Sequence, residues 1–174
     1  MYKFDYSSSG TTIFYKGNIF DSLLELKFAL HIESTHAWLR EGLELYYGLH
    51  GLANGVKGKL HCYRPDFLIR NWQTGEASLV EIKPDGFNDS SLVKRAKIAN
   101  RHARQFCYDW NFTIVYESEI HLSEAQWHEF KKIQTEQTGW IHKPCLQILQ
   151  NTSDLSDSEY RAYVLTGVLP ATVH

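Results

Sequence analysis

The chain has 174 residues and a net charge of −2, a length that favours a single domain with its own hydrophobic core. The near-neutral charge excludes nucleic-acid binding by the molecule as a whole, so any such binding must use a local basic patch. The three cysteines, Cys62, Cys107 and Cys145, lack C-x-x-C spacing and argue against a disulfide framework or a structural zinc site. No apolar stretch is typical of a signal peptide or long enough to cross a bilayer, so we expect a cytoplasmic protein without membrane association.

The first part of the chain predicts one buried helix among short strands. The helix begins at Asp21-Ser22 and continues to Ile32, with apolar residues nearly all round it. The helical signal continues weakly through 36–39. Strands are expected at 12–15, 43–47 and 59–69, and a glycine-rich connection separates the last two.

The second part of the chain completes an α/β pattern. A turn containing Gly75 leads into a strand at 78–83, so that strand forms a β-hairpin with the one before it. A helix at 92–108, a strand at 112–116 and a helix at 123–137 follow. The order helix, three strands, helix, strand predicts a mixed central β-sheet flanked by α-helices. We expect residues 1–119 to form this core and 120–174 to form a C-terminal helical extension packed on it, because 138–174 has too many apolar residues to remain disordered.

Two carboxylates and a lysine lie in the strands of the predicted hairpin. Asp66 follows Pro65 in an otherwise apolar run, and Glu81 and Lys83 lie two residues apart in the next strand, so both point to the same face. Two neighbouring buried carboxylates are costly unless a cation compensates them, and divalent metals such as Mg²⁺ or Mn²⁺ prefer such oxygen ligands. Two acids and an ammonium at one place are typical of phosphodiester hydrolysis. The alternative is a plain hairpin with an exposed Glu81–Lys83 ion pair, which leaves Asp66 unexplained.

These motifs resemble those of the PD-(D/E)XK nuclease superfamily, in which Pro-Asp in one strand and Glu-x-Lys in the next follow a helix. The segments 20–28, 63–69 and 79–84 look most like TnsA-type transposon endonucleases, and the resemblance covers roughly residues 18–118. It implies a restriction-endonuclease-like core and a Mg²⁺- or Mn²⁺-dependent DNA endonuclease. The metal ligands would be Asp66, Glu81, the Ile82 carbonyl and Glu25, and Lys83 would orient water or stabilise charge.

Glu25 has a second interpretation. With Ser22 it forms an S-x-x-E pattern, which is typical of a capping box at a helix start. Both interpretations place Glu25 near the start of the helix, so its position in the sequence cannot separate them. Glu33, Glu41 and Glu44 are weaker candidates for a third acid.

The helix at 92–108 supplies two further candidate sets. The resemblance implies that Gln105 and Tyr108 support the site, although their spacing is one residue shorter than the common one. A basic stripe of Lys94, Lys97, Arg101 and Arg104 recurs at helical spacing without any acid between 90 and 108. Such a stripe is typical of a solvated helix face, but four like charges without acids favour contact with phosphates.

Other classes of function have less support. Nine histidines fit no common zinc spacing, and no G-x-S-x-G motif indicates a serine hydrolase. Two alternatives to a DNA endonuclease remain open: the same chemistry on RNA, and a non-catalytic nucleic-acid-binding or assembly subunit with this fold. The expected partners are DNA and a transposase or other protein, and double-strand cutting would favour a homodimer.

Overall fold

A four-stranded mixed β-sheet forms the centre of the molecule. The structure is a computed structural model that describes residues 13–40, 43–48, 60–104, 108–136 and 155–169. The strands are β1 (Ile13–Tyr15), β2 (Asn18–Phe20), β3 (His36–Arg40), β4 (Leu45–Gly48), β5 (Leu60–Tyr63), β6 (Phe67–Asn71), β7 (Ala77–Lys83) and β8 (Trp110–Tyr116). The helices are α1 (Leu23–Ile32), α2 (Ser90–Arg104), α3 (Glu124–Glu136) and α4 (Asp157–Thr166).

The strand order in the central sheet is β3-β6-β7-β8. β6 is antiparallel to both β3 and β7, whereas β8 is parallel to β7 and is reached through α2. β1 with β2 and β4 with β5 form two separate antiparallel ribbons. The predicted class, a mixed central sheet flanked by helices, is therefore confirmed.

The alternation of side chains along the strands supplies a core on each face of the sheet. One core contains the aromatic rings of Phe20, Trp38 and Phe67 packed against α1, and Phe67 lies edge-on to Phe28 at 5.1 Å between ring centres. The other core joins Leu79 of β7 and neighbouring strand residues to α4. Because both faces are covered, the central strands are apolar on both sides.

Pro65 divides the strand that was predicted at 59–69. The segment before it, β5, pairs only with β4, and the segment after it, β6, enters the central sheet. Proline has no amide hydrogen for a strand ladder and fixes its own φ, so a break at this position is expected from its chemistry. The prediction of one continuous strand was wrong here, and the predicted strand at 43–47 is β4, which belongs to the ribbon rather than to the central sheet.

The segment 36–39 is a strand, and the predicted helical continuation was wrong. Thr35 donates its amide to the Ile32 carbonyl at 2.9 Å and closes a turn after α1. β3 then pairs with β6 along five residues and buries Trp38 on one face and Leu39 on the other. Pairing and burial on both faces outweigh the weak local helical preference. The central elements therefore occur in the order α1, β3, β6, β7, α2, β8, with the β4–β5 ribbon inserted.

The last two described helices pack on the core that precedes them. Phe130 and Ile133 of α3 join the core with α1, whereas Tyr160 and Val164 of α4 join the core on the opposite face. The Tyr160 hydroxyl accepts a hydrogen bond from the Trp38 amide at 2.8 Å and donates one to the Trp38 carbonyl at 3.2 Å. The division of the chain at residue 119 stays a prediction.

No helix in the described ranges is both long and apolar enough to span a membrane. α2, with 15 residues, carries four of the chain's basic residues on exposed positions. A spanning helix needs about 20 consecutive apolar residues.

The C-terminus of α4 is held by a buried arginine. Arg70 donates from Nε to the Val164 carbonyl at 3.0 Å and from Nη2 to the Leu165 carbonyl at 3.2 Å. Gly167 follows in left-handed backbone with φ 76°, and a Cβ there would lie 2.8 Å from Arg70 Nη1. The helix end therefore needs both a residue that tolerates this φ and space for the guanidinium.

We expect Gly167→Ala to destabilise the protein more than Gly86→Ala. Both glycines have positive φ, but a Cβ at Gly86 meets no atom within 4 Å. Gly86→Ala should cost about 1 kcal/mol from backbone strain, and Gly167→Ala about 1–3 kcal/mol more because Arg70 must leave its carbonyl partners. Urea unfolding measures both values, and equal losses would show that the guanidinium moves aside freely.

Candidate functional site

Asp66, Glu81 and Lys83 come together on the face of the sheet that α2 and α4 cover. Lys83 Nζ lies 2.7 Å from Glu81 Oε2 and 3.3 Å from Asp66 Oδ2. The Glu81 side chain is 3% exposed, the Lys83 side chain 15% and the Asp66 side chain 24%. The exposed Glu81–Lys83 ion pair of the alternative interpretation does not occur, because all three groups are largely removed from solvent.

Strand register brings these residues together. Phe67 of β6 pairs with Val80 of β7, and extending that register by one residue sets Asp66 opposite Glu81. The Ile82 amide donates to Asp66 Oδ2 at 2.7 Å, so the backbone of β7 fixes the orientation of this carboxylate. The alternation of side chains then puts Lys83 on the same face as Glu81. Glu81 and Lys83 lie in β7, and Asp66 lies at the bend immediately before β6, where the Ile82 amide fixes its carboxylate.

Tyr63 is a member of the site that the sequence analysis missed. Its hydroxyl donates to Glu81 Oε1 at 2.5 Å, and its ring is buried against Ala96 of α2. Glu81 thus has Tyr63 on one oxygen and Lys83 on the other. Tyr63 reaches Glu81 because the break at Pro65 turns β5 away from the sheet, and only that break in the strand pattern could have indicated the contact.

The electrostatics of the site show a shortage of positive charge. Burial raises the pKa of Asp66 to about 6, and the neighbouring Glu81 carboxylate adds to the effect, while Lys83 and the Ile82 amide oppose it. Burial alone would lower the pKa of Lys83, but the two carboxylates outweigh it and raise that pKa. Lys83 is therefore protonated at neutral pH, and one ammonium faces two carboxylates.

Glu25 lies in an adjacent cluster centred on Arg40. Arg40 donates to Glu25 Oε2 from Nε at 2.9 Å and from Nη2 at 2.6 Å, and Nη2 also reaches Asp21 Oδ2 at 3.0 Å. Burial raises the pKa of Glu25, and the charge of Asp66 adds to the shift, so the two carboxylates are close enough to interact. Arg40 was not identified from the sequence, because nothing local distinguishes it from an exposed strand residue.

Part of the predicted capping box of Ser22 and Glu25 is present. Ser22 Oγ accepts the Glu25 amide at 3.2 Å and donates to Glu25 Oε1 at 3.1 Å. Ser22 is therefore the N-cap of α1, and Glu25 serves both the helix start and the Arg40 cluster. The role of Glu25 as a metal ligand stays a prediction.

The donor set fits a hard divalent cation. Asp66 and Glu81 present carboxylate oxygens around one positive charge. The Lys83 ammonium lies between them and supplies the positive charge that a metal ion would otherwise supply. Within the described ranges, no group of three or more His, Cys, Asp and Glu residues is arranged to hold a metal. Mg²⁺ is often bound by only one or two carboxylates together with substrate phosphate and water. The carboxylates of Asp66 and Glu81 are thus the residues that would hold it.

The weaker candidates for a third acid lie elsewhere. Glu33 accepts hydrogen bonds from the Tyr15 hydroxyl, at 3.1 Å, and from Lys16 beside the β1–β2 turn. Glu44 accepts from Arg64 Nε at 2.8 Å on the surface of the β4–β5 ribbon. Glu41 lies outside the described residues.

Tyr108, one of the two predicted supporting residues, is not brought to the site. Tyr108 stacks on Trp110 at 4.4 Å between ring centres, and Trp110 pairs with Ala77 at the start of β7. Lys83 lies six residues further along β7, about 20 Å away at 3.3 Å per residue. The structure therefore places Tyr108 at the opposite end of the sheet, and Gln105 lies outside the described residues.

The basic stripe of α2 extends away from the site. Lys94, Lys97, Arg101 and Arg104 are all exposed, as predicted. α2 connects the end of β7 to the start of the parallel strand β8, so its first turns lie nearest Lys83 and its last turn lies near Trp110. Arg104 donates from Nη2 to the Asn111 side chain at 3.3 Å, which occupies it at the far end.

An open depression lies just beyond the carboxyl ends of β7 and β8. Its volume is about 680 Å³, and its lining includes Phe87, Asn88, Ile114 and Tyr116. Lys83 Nζ lies 5.7 Å from the centre of the Phe87 ring, so the depression is next to the charged site. Ligands of α/β proteins commonly bind beyond the carboxyl ends of strands, where a crossover begins.

Comparison with family models, with curated proteins and with solved structures finds no match for this chain. The most specific indication of function in the described residues is the contact of Lys83 with Asp66 and Glu81.

We expect Asp66→Asn to stabilise the metal-free protein at alkaline pH. Because the folded-state pKa of Asp66 is about 6 against an ordinary value of 3.8, folding favours its protonated form. The free energy of unfolding should therefore fall as pH rises between these values and stay lower above pH 6. Asn mimics the protonated acid and avoids this loss.

Thermal unfolding in EDTA at pH 4 and pH 8 measures the effect. At pH 8 the unfolding temperature of Asp66→Asn should exceed that of wild type by about 2–4 °C for each kcal/mol gained in the free energy of unfolding. At pH 4 the two unfolding temperatures should coincide. Asp109→Asn is the control, since that side chain is 97% exposed, and should change neither value. A less stable Asp66→Asn at pH 8 would contradict the electrostatic account.

Proposed function

We propose that this chain is a divalent-metal-dependent DNA endonuclease of the PD-(D/E)XK type. The observation that carries the proposal is the burial of Asp66 and Glu81 around the Lys83 ammonium, at 3.3 and 2.7 Å. Such an arrangement is expensive as a purely structural feature, because two desolvated carboxylates share one cation. It is well suited to binding a metal and a phosphodiester.

The order of the secondary structure supports the same proposal. α1, β3, β6, β7, α2 and β8 follow one another as in the helix, three-strand, helix, strand core that the sequence motifs implied. The Pro-Asp motif lies immediately before β6, and the Glu-x-Lys motif lies in the neighbouring strand β7. A restriction-endonuclease-like core is therefore the finer fold assignment that we propose.

The residues of the site have separable roles in hydrolysis. Asp66 and Glu81 would hold Mg²⁺ or Mn²⁺, with the Ile82 carbonyl and Glu25 as the further ligands implied by the resemblance. When bound, such a cation lowers the pKa of a coordinated water and offsets charge on the phosphate.

The chain's own groups position the Glu81 carboxylate and stabilise charge on the phosphate. Tyr63 fixes one oxygen of Glu81 and leaves the other toward Lys83. Lys83, protonated because its carboxylate neighbours raise its pKa, donates a hydrogen bond to a non-bridging phosphate oxygen as negative charge grows there. The oxygen of water forms a bond to phosphorus and a water proton passes to solvent, while the bond from phosphorus to the leaving oxygen breaks and that oxygen takes up a proton from solvent.

A non-catalytic role is the second candidate, and one observation favours it. Glu25 is bound by Arg40 at 2.6 Å, which leaves two carboxylates at the Lys83 site. A binding or assembly subunit could retain that cluster for structural reasons. RNA as substrate involves the same chemistry at the phosphate. Action in transposition beside a transposase follows from the family resemblance, and a homodimer would suit the cutting of both strands.

We expect purified protein to nick or linearise supercoiled plasmid in Mg²⁺ or Mn²⁺ and to lose this activity in EDTA. Asp66→Ala and Lys83→Met should reduce cleavage by orders of magnitude, because each removes a group that holds the cation or stabilises phosphate charge. Glu33→Gln, which alters a part-buried acid bonded to Tyr15, is the matched control and should cleave normally.

The same assay separates the two roles of Glu25. Glu25→Gln should abolish cleavage if the carboxylate binds metal, whereas Asp21→Asn, which alters the other acid on Arg40, should not. Cleavage by Asp66→Ala at the wild-type rate would exclude the assigned site and favour the non-catalytic candidate.

The position of the basic stripe predicts unequal contributions to DNA binding. Lys94→Gln with Lys97→Gln should weaken binding and reduce the slope of log affinity against log salt by about 1–2, because each lost phosphate contact contributes about 0.9. The double variant Arg101→Gln/Arg104→Gln should reduce this slope less, because Arg104 already donates a hydrogen bond to the Asn111 side chain at the start of β8. Titrations of a duplex in Ca²⁺ at several salt concentrations measure these slopes. Equal slopes for wild type and both double variants would show that the stripe contacts solvent and not phosphate.

A further inference from the structure

We infer that the depression beyond β7 and β8 binds the nucleobase of a nucleotide next to the scissile phosphate, with Phe87 as the stacking surface. This inference rests on the proposed nuclease function and adds a position that recognises the substrate. It places a base at the depression while the adjoining phosphate lies at Lys83. Three features support this placement: the exposure of Phe87, the charges of the lining, and the closed turn that holds Phe87 beside Lys83.

Phe87 presents an aromatic ring to solvent beside the catalytic charges. The residue is 37% exposed, and Lys83 Nζ lies 5.7 Å from its ring centre. An exposed ring is common on protein surfaces, but this one borders a depression that also includes Tyr116. Aromatic rings beside a cationic phosphate site are the arrangement by which proteins hold single bases, because every base has a face that can stack.

The charges of the depression favour a neutral group over a phosphate. Asp85 and Glu119 both lie in its lining. Asp85 Oδ1 accepts the Ser118 amide at 3.1 Å, and Glu119 Oε2 accepts the Tyr116 amide at 2.7 Å. These carboxylates repel phosphate but do not repel an uncharged base. Asn88, which is also in the lining, has a side-chain amide that can donate and accept hydrogen bonds at the edge of a base.

The loop that carries Phe87 is a turn closed by a backbone hydrogen bond. The Phe87 amide donates to the Pro84 carbonyl at 3.2 Å, and Gly86 takes the positive φ of 79° that closes this turn. The loop follows Lys83 directly, so the ring and the ammonium are held on one short segment. Little conformational entropy is then lost when a base stacks, which favours binding.

Two 12-residue oligonucleotides test the inference directly. One is oligodeoxythymidylate, and the other has the same phosphates on abasic tetrahydrofuran units. Binding is measured in Ca²⁺ with wild type, Phe87→Ala, Phe87→Trp and Trp127→Ala. Trp127 is the matched control because it is an aromatic residue on α3 that is 44% exposed.

Wild type should bind the base-bearing strand about ten-fold more tightly than the abasic strand, in keeping with one stacked base. Phe87→Ala should lose this ratio without a change in salt slope, since no phosphate contact is removed, and Phe87→Trp should restore it. Trp127→Ala should keep the ratio. Circular dichroism checks that each variant is folded.

A wild-type ratio near one, or a ratio that survives in Phe87→Ala, would overturn the inference. Absence of binding to either strand would also overturn it. Plasmid cleavage by the same wild-type preparation distinguishes this failure from a failure of the nuclease proposal: metal-dependent cleavage without a base-dependent ratio leaves the nuclease in place and removes only the base site.

Discussion

The Lys83 ammonium lies between two carboxylates that the sheet removes from water, and much of the surrounding structure serves to hold these charges. Asp66 is fixed by the Ile82 amide at 2.7 Å, and Glu81 is fixed by the Tyr63 hydroxyl at 2.5 Å. A buried ion pair stabilises a fold only when hydrogen bonds satisfy its remaining oxygens. Here those bonds come from a neighbouring strand and from an inserted ribbon, so the site and its supports are parts of one network.

The break at Pro65 connects the ribbon to that network. β5 leaves the plane of the sheet, pairs with β4 and packs against α2, and this path carries Tyr63 to Glu81. A continuous strand would have kept Tyr63 in the sheet. The proline therefore has two effects, since it ends one strand and permits a hydrogen bond from outside the sheet to the deepest acid of the site.

The central hairpin could be predicted because its signals are local. Asp66, Glu81 and Lys83 follow from the two-residue period of strands and from the turn at Gly75. The strand at 36–39 could not, because its burial comes from pairing with β6 and from packing on both faces, which its own sequence does not encode. The ion pair of Arg40 with Glu25 and the position of Tyr108 were likewise set by tertiary contacts. Local patterns indicated that Asp66 and Glu81 lie close to Lys83, but they did not indicate the contacts of Tyr63 and Arg40.

The Tyr160 hydroxyl has a consequence for how the chain must be handled in the laboratory. Among the described strands, β3 is the last on its side of the central sheet, and the Tyr160 hydroxyl bonds to both the amide and the carbonyl of Trp38. Without α4, these groups would be open to pairing with a strand from another molecule. A chain shortened before residue 155 would thus gain a template for edge-to-edge association, although every residue around Lys83 is retained.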